Sequence, residues 1–283
     1  MVAYHSGGGG RGLLLASIRS LSKAASHVGR RLRPQRLTTL LGEDERLQRV
    51  LRRETMLRML TQIYEVATPE EARSLSLIGI DHIGVLLGNG QFPRELSVPA
   101  AAHVAEAILP PSKFSALFLT ADTSLIAQWA REVRPHIVHL GAAPGLLSPS
   151  SVASLKSRLE GIIVMRSVPV SGTDSIALAR TYEGIADFLL LDSYRASDRQ
   201  IGALGLTHDW GISRRIVEEV RVPVILAGGL GPDNVTDAIE AVRPVGVDSK
   251  TKTDQDGSHA KDLERVRRFH AAARMVRALS PPR

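Results

Sequence analysis

Residues 222–249 read VPVILAGGLGPDNVTDAIEAVRPVGVDS. An apolar run, VPVILA, ends in Gly228-Gly229. A helix start follows at Pro232-Asp233, ahead of the amphipathic stretch NVTDAIEAV. A second apolar run, VGVD, follows at once. The order is strand, glycine turn, helix, strand. Runs that are apolar throughout, rather than alternating, belong to parallel strands covered on both faces. Successive parallel strands joined by a helix make right-handed crossovers.

The same unit repeats outward to both sides. Further apolar runs lie at 57–66, 81–87, 114–120, 137–140, 161–168 and 188–192, and the quoted stretch adds 222–227 and 245–248. Periodic stretches alternate with them near 69–78, 99–109, 123–133, 150–159, 174–184, 212–220, 233–242 and 261–279. Helix starts are visible at Ser97-x-Pro99 and at Ser148-Pro149-Ser150. Eight such pairs over about 225 residues predict an α/β chain folded as a (β/α)8 TIM barrel, whose usual size is about 250 residues. An open doubly wound sheet fits less well, because no Gly-x-Gly-x-x-Gly follows the first run.

Composition limits the chemistry. The chain has 283 residues, 43% of them hydrophobic and 23% charged, which suffices for a large core. It has no cysteine, so thiolate ligands, disulfides and thiol bases are all excluded. The net charge of +7 is that of the first 42 residues, which hold seven basic side chains and no acid. The remainder carries 29 basic and 29 acidic residues. A neutral body with 4% aromatics gives no nucleic-acid signal. No run of apolar residues is long enough to span a membrane. Residues 1–42 are expected to be a disordered basic Gly/Arg/Ser-rich extension, and 43–283 a single barrel domain with a leading charged helix at 43–55. Acid-free, Arg- and Ser-rich composition also suits an organelle transit peptide, so a cytoplasmic protein has an organellar alternative.

A barrel of this kind places its site at the carboxyl ends of the strands. That selects Tyr64, Glu65, the 89–94 loop with Arg94, Asp122, His139, Arg166, Asp192, Gly228-Gly229 and 248–251. Gly228 and Gly229, with Ser249, Lys250 and Thr251 after the eighth run, occupy the usual phosphate position of the fold. Asp192, after three leucines, is expected to be desolvated at the rim and suited to general acid work. Arg94 offers a planar fork for a carboxylate. His139 should face the barrel interior, as a base or as a hydrogen-bonded core histidine. The histidines show no metal-ligand spacing.

Two stretches carry a resemblance: FLLLDS at 188–193, and Gly202-x-x-Gly205-x-Thr207-His208-Asp209-Trp210 followed by the stretch quoted first. Together with Gly79-Ile80-Asp81-His82-Ile83-Gly84 and Phe92-Pro93-Arg94-Glu95-Leu96-Ser97, they resemble the phosphoribosylanthranilate isomerase family over about residues 57–276. The resemblance implies an Amadori rearrangement of a phosphoribosyl amine to a 1-deoxyribulose phosphate, without cofactor or metal. It implies Asp192 as general acid, Arg94 on the anthranilate carboxylate, and Gly228, Gly229 and 249–251 on the phosphate. The family's general-base cysteine is replaced by Tyr64, and the glycine after it by Glu65. Glu65, His139 and Tyr64 therefore stand as candidates for the base. A related isomerase or lyase acting on another phosphosugar, and a non-catalytic phosphoribosyl-binding protein, remain as alternatives. The expected partner is a small phosphorylated substrate, and the expected assembly a monomer or homodimer.

Overall fold

The computed structural model describes residues 58–195, 200–202 and 205–276. The basic extension and the leading helix expected at 43–55 lie outside these residues. The barrel strands are β1 (Leu60–Ile63), β2 (His82–Leu87), β3 (Lys113–Phe118), β4 (Ile137–Leu140), β5 (Ile163–Pro169), β6 (Phe188–Asp192), β7 (Val224–Leu226) and β8 (Gly246–Ser249). All pair in parallel, each with its sequence neighbours, and β8 closes onto β1. The helices between and after them are α1 (Pro69–Ile78), α2 (Val98–Glu106), α3 (Thr123–Val133), α4 (Pro149–Lys156), α5 (Asp174–Arg180), α6 (Trp210–Glu219), α7 (Val235–Val242) and α8 (Leu263–Met275). The (β/α)8 barrel expected from the alternation is the fold found.

Side-chain alternation divides the apolar residues into two cores. Val138, Val164, Leu189, Leu191, Leu226 and Val247 point outward and pack under the helices. Tyr64, Ile137, Met165, Leu190, Ile225 and Ala227 point inward and fill the barrel. Burying an aliphatic side chain contributes about 1.5–3 kcal/mol, so the larger outer core dominates stability. The inner core is where polar residues are admitted.

Local signals set most helix starts. Asp122, Ser148 and Asp209 each accept a backbone N–H of the first turn. Asp122 is thereby accounted for as a cap of α3. For α7 the cap is Asn234 rather than Asp233; the Asn234 side chain accepts from Gly231 N–H at 2.8 Å and donates to the Gly229 carbonyl at 3.1 Å. It braces the glycine turn instead of the helix.

Two short pairings were not anticipated. Glu95–Leu96 extends the sheet beside β2, and Tyr194–Arg195 pairs with Gln200–Ile201 as a small antiparallel hairpin after β6. Both are too short to show a hydrophobic period.

Candidate active site

The carboxyl ends of β6, β7 and β8 surround a small pocket. Asp192, Gly228, Gly229, Asp248, Lys250 and Thr251 are among its lining residues. The glycine turn after β7 shapes one wall. Gly228 and Gly229 adopt φ of 86° and 62°, in the left-handed region where a side chain is strained. A Cβ on Gly229 would fall 2.7 Å from the Leu206 carbonyl carbon and 2.9 Å from Gly205 O. The turn and the 205–207 segment approach as closely as backbones allow. The N–H groups of Gly228 and Gly229 have no partner among the described residues, which leaves them for an anion.

The polar residues after β8 divide their roles. Ser249 is 2% exposed, and its hydroxyl donates to the Leu230 carbonyl at 2.7 Å. It ties β8 to the glycine turn and lines the pocket with its hydroxyl hydrogen so engaged. Lys250 Nζ lies 3.1 Å from Glu65 Oε2 and 3.5 Å from Asp254 Oδ2. Thr251 is exposed and packs against Gly205.

Asp192 ends β6. Ser193 N–H donates to its Oδ1 at 2.8 Å, and its Oδ2 lies against Gly202. Desolvation by its surroundings raises its pKa to about 7, against the lowering effect of the Ser193 bonds. Asp248 is 7% exposed, and Gln62 Nε2 donates to its Oδ1 at 3.1 Å. Gln62 in turn accepts from His82 Nδ1 at 3.1 Å. Desolvation raises Asp248 to about 8, with the Asp192 charge adding to the rise. No cation pairs with either carboxylate among the described residues.

Tyr64 points into the barrel. Its hydroxyl bonds Ser115 Oγ at 2.7 Å and His139 Nδ1 at 2.7 Å, and His139 Nε2 bonds Ser167 Oγ at 2.7 Å. The ring covers Gly84, where a Cβ would sit 2.1 Å from Tyr64 Cδ1. Burial pushes the Tyr64 phenol well above its usual value and drops the His139 imidazole to about 3. His139 thus faces the interior as expected, but as a neutral member of a four-residue chain across β1, β3, β4 and β5. Both its nitrogens are engaged.

Glu65 leaves the alternation. Its φ is 58°, so the chain turns out of β1 here. The carboxylate meets Lys250, and its carbonyl accepts from Arg94 Nε at 2.8 Å. Arg94 also sits at a left-handed φ, 61°, and its Nη2 pairs with Glu71. Among the described residues Nη1 is the terminal nitrogen without a partner. Arg166 turns outward, fully buried, with Nη1 donating to the Leu140 carbonyl and the guanidinium over the Tyr182 ring. It belongs to the outer core and not to the pocket. Sequence reasoning passed over Gln62, His82, Ser115 and Ser167. Inward parity with Tyr64 and His139, two residues apart on each strand or at matching register, was the signal that marks them.

Three or more His, Cys, Asp or Glu side chains do not gather in any metal-binding group among the described residues. No helix among them is long and apolar enough to cross a membrane.

The model of the N-(5'-phosphoribosyl)anthranilate isomerase family matches residues 92–272. The chain belongs to that family. It is 36% identical over 218 residues to the N-(5'-phosphoribosyl)anthranilate isomerase of Methanocella arvoryzae, covering 76% of this chain and 98% of the relative. The solved phosphoribosyl anthranilate isomerase of Thermotoga maritima superposes with a TM-score of 0.65 at 24% identity, over 77% of this chain and all of that one. A solved family member in complex with reduced 1-(o-carboxyphenylamino)-1-deoxyribulose 5-phosphate gives 0.63 at 23% identity and the same coverage. The family match bears out the resemblance read from the motifs, and the solved structures bear out the barrel read from the strand–helix alternation.

Proposed function

We propose that the chain catalyses the phosphoribosylanthranilate isomerase reaction of tryptophan biosynthesis, with Asp192 as the general acid. The carrying observation is a carboxyl raised to about 7 in the same pocket as the glycine turn after β7. A carboxyl still protonated near neutrality can give its proton to the furanose ring oxygen as the ring opens. The Gly228 and Gly229 amides, with Lys250 and Thr251, suit the 5'-phosphate. Ser249 contributes by holding the turn. Arg94, oriented by Glu71 and the Glu65 carbonyl, offers its remaining terminal nitrogen to the anthranilate carboxylate.

Phosphoribosylanthranilate generated in situ loses its fluorescence on isomerisation. With the full chain, that loss should run well above the uncatalysed rate, and Asp192→Asn should slow it by about 10²–10⁴. A wild-type rate equal to the uncatalysed one overturns the reading. In that case, tight binding of a deoxyribulose phosphate analogue would assign a binding protein instead. We place the reaction in the cytoplasm, or in an organelle if residues 1–42 direct import; fluorescent fusions with and without those residues distinguish the two.

A further inference from the structure

We propose that Asp248 is the second half of the acid–base pair, so that the proton on C2' of the substrate is taken within the Asp192–Asp248 pair and not by Tyr64, His139 or Glu65. This inference rests on the isomerase reading above.

The register supplies the geometry. Leu191 of β6 pairs with Leu226 of β7, and Leu226 with Val247 of β8. All three point outward. One step along each strand, Asp192, Ala227 and Asp248 therefore continue the register side by side and point inward. The residue between the two aspartates is alanine, whose single methyl leaves the space between the carboxyls open. Both carboxyls line the pocket that the glycine turn closes. Each has one oxygen anchored by a neutral donor, Ser193 N–H or Gln62 Nε2, and among the described residues neither forms an ion pair, Lys261 acting on Asp248 only at longer range. Two such carboxyls facing one pocket resist ionising together, so after the first ionisation the pair keeps one proton, one group as acid and one as base.

The other candidates are committed elsewhere. The Tyr64 hydroxyl is divided between Ser115 and His139, and the His139 nitrogens between Tyr64 and Ser167. Glu65 is paired with Lys250 at 3.1 Å where the chain leaves β1 at a left-handed φ.

The pair balances the reaction unaided. The protonated carboxyl gives its proton to the ring oxygen; the C1'–O bond breaks and the nitrogen lone pair forms C1'=N. The other carboxylate removes the C2' proton. That C–H pair becomes C1'=C2', and the C=N π pair returns to nitrogen. The captured proton is then delivered to C1', and the C2' hydroxyl proton passes to the first carboxylate. C2' is left as a ketone, and both carboxyls return to their starting state.

The test compares wild type, Asp248→Asn and Asp248→Glu on substrate carrying hydrogen or deuterium at C2'. Asparagine preserves an acceptor for Gln62, and inorganic phosphate should still inhibit or protect Asp248→Asn at wild-type concentrations. Its kcat should fall by about 10²–10⁴, and the residual turnover should show a larger deuterium effect than wild type, because proton removal has become limiting. Asp248→Glu should recover part of the loss. Wild-type kcat in Asp248→Asn, or a fall in kcat with an unchanged isotope effect and lost phosphate binding, overturns the inference. Inactivity of the wild type itself overturns the isomerase reading and this one together.

Discussion

Asp192 and Asp248 should make the protein less stable as pH rises, and Asp248→Asn should remove most of that loss. Asp248 is 7% exposed, and desolvation followed by the Asp192 charge moves it from an ordinary 3.8 to about 8. The charged and polar groups facing it are Asp192 on β6, Gln62 on β1, and Glu65 and Lys261 from the loops after β1 and β8. Between pH 4 and 8 the folded chain holds a proton that the unfolded chain has released. Stability therefore falls with pH, by at most about 1.4 kcal/mol per unit for one such group. The sign is opposite to that of a salt-bridged aspartate. From pH 5 to 8 the ceiling on that fall is about 4 kcal/mol, and entry of water should reduce the observed fall to about 2 kcal/mol. Urea unfolding of wild type and Asp248→Asn at pH 5, 6, 7 and 8 measures it. The variant should match the wild type within about 1 kcal/mol at pH 5 and exceed it progressively above pH 6. A difference that stays flat with pH, or grows as pH falls, would refute the desolvated pair.

Tyr64→Phe keeps the ring over Gly84 but leaves Ser115 and His139 each one partner short, so it should cost about 1–3 kcal/mol in urea unfolding, with kcat within about fivefold of wild type. A kcat loss beyond a hundredfold with intact folding would return Tyr64 to the chemistry. Gly84→Ala forces a methyl into the Tyr64 ring and should destabilise by about 1–3 kcal/mol, read as a lowered melting midpoint; an unchanged midpoint would mean that the ring moves freely. Gly229→Ala meets backbone on the far side, not a flexible side chain, and should weaken inhibition by inorganic phosphate at least tenfold, about 1.4 kcal/mol. Arg94→Lys loses the planar fork and should raise KM for the anthranilate substrate with less effect on kcat; a fall in kcat alone would argue against a carboxylate contact.

The strand–helix alternation, the glycine turn and the aspartate after FLLL were all readable because each depends on local sequence. A buried parallel strand is apolar throughout, a left-handed turn calls for glycine, and a strand end in a barrel faces the site. Those rules identified the barrel and put Asp192, Gly228 and Gly229 on one rim. They also located Tyr64 where a thiol base is expected from the family resemblance. Local rules do not report who meets whom across the barrel. That Ser249 turns its hydroxyl to Leu230, that Arg166 faces outward, and that Glu65 leaves the alternation to meet Lys250 follow from packing between segments far apart in the chain. The partners of Tyr64 and His139 were decided the same way, by hydroxyls on β3 and β5 that meet them inside the barrel. Asp248 shows the limit most clearly. The strand-end rule selects it within 248–251, but only the register of β6, β7 and β8 brings it across Ala227 from Asp192, so that two carboxyls without an ion pair among the described residues line one pocket.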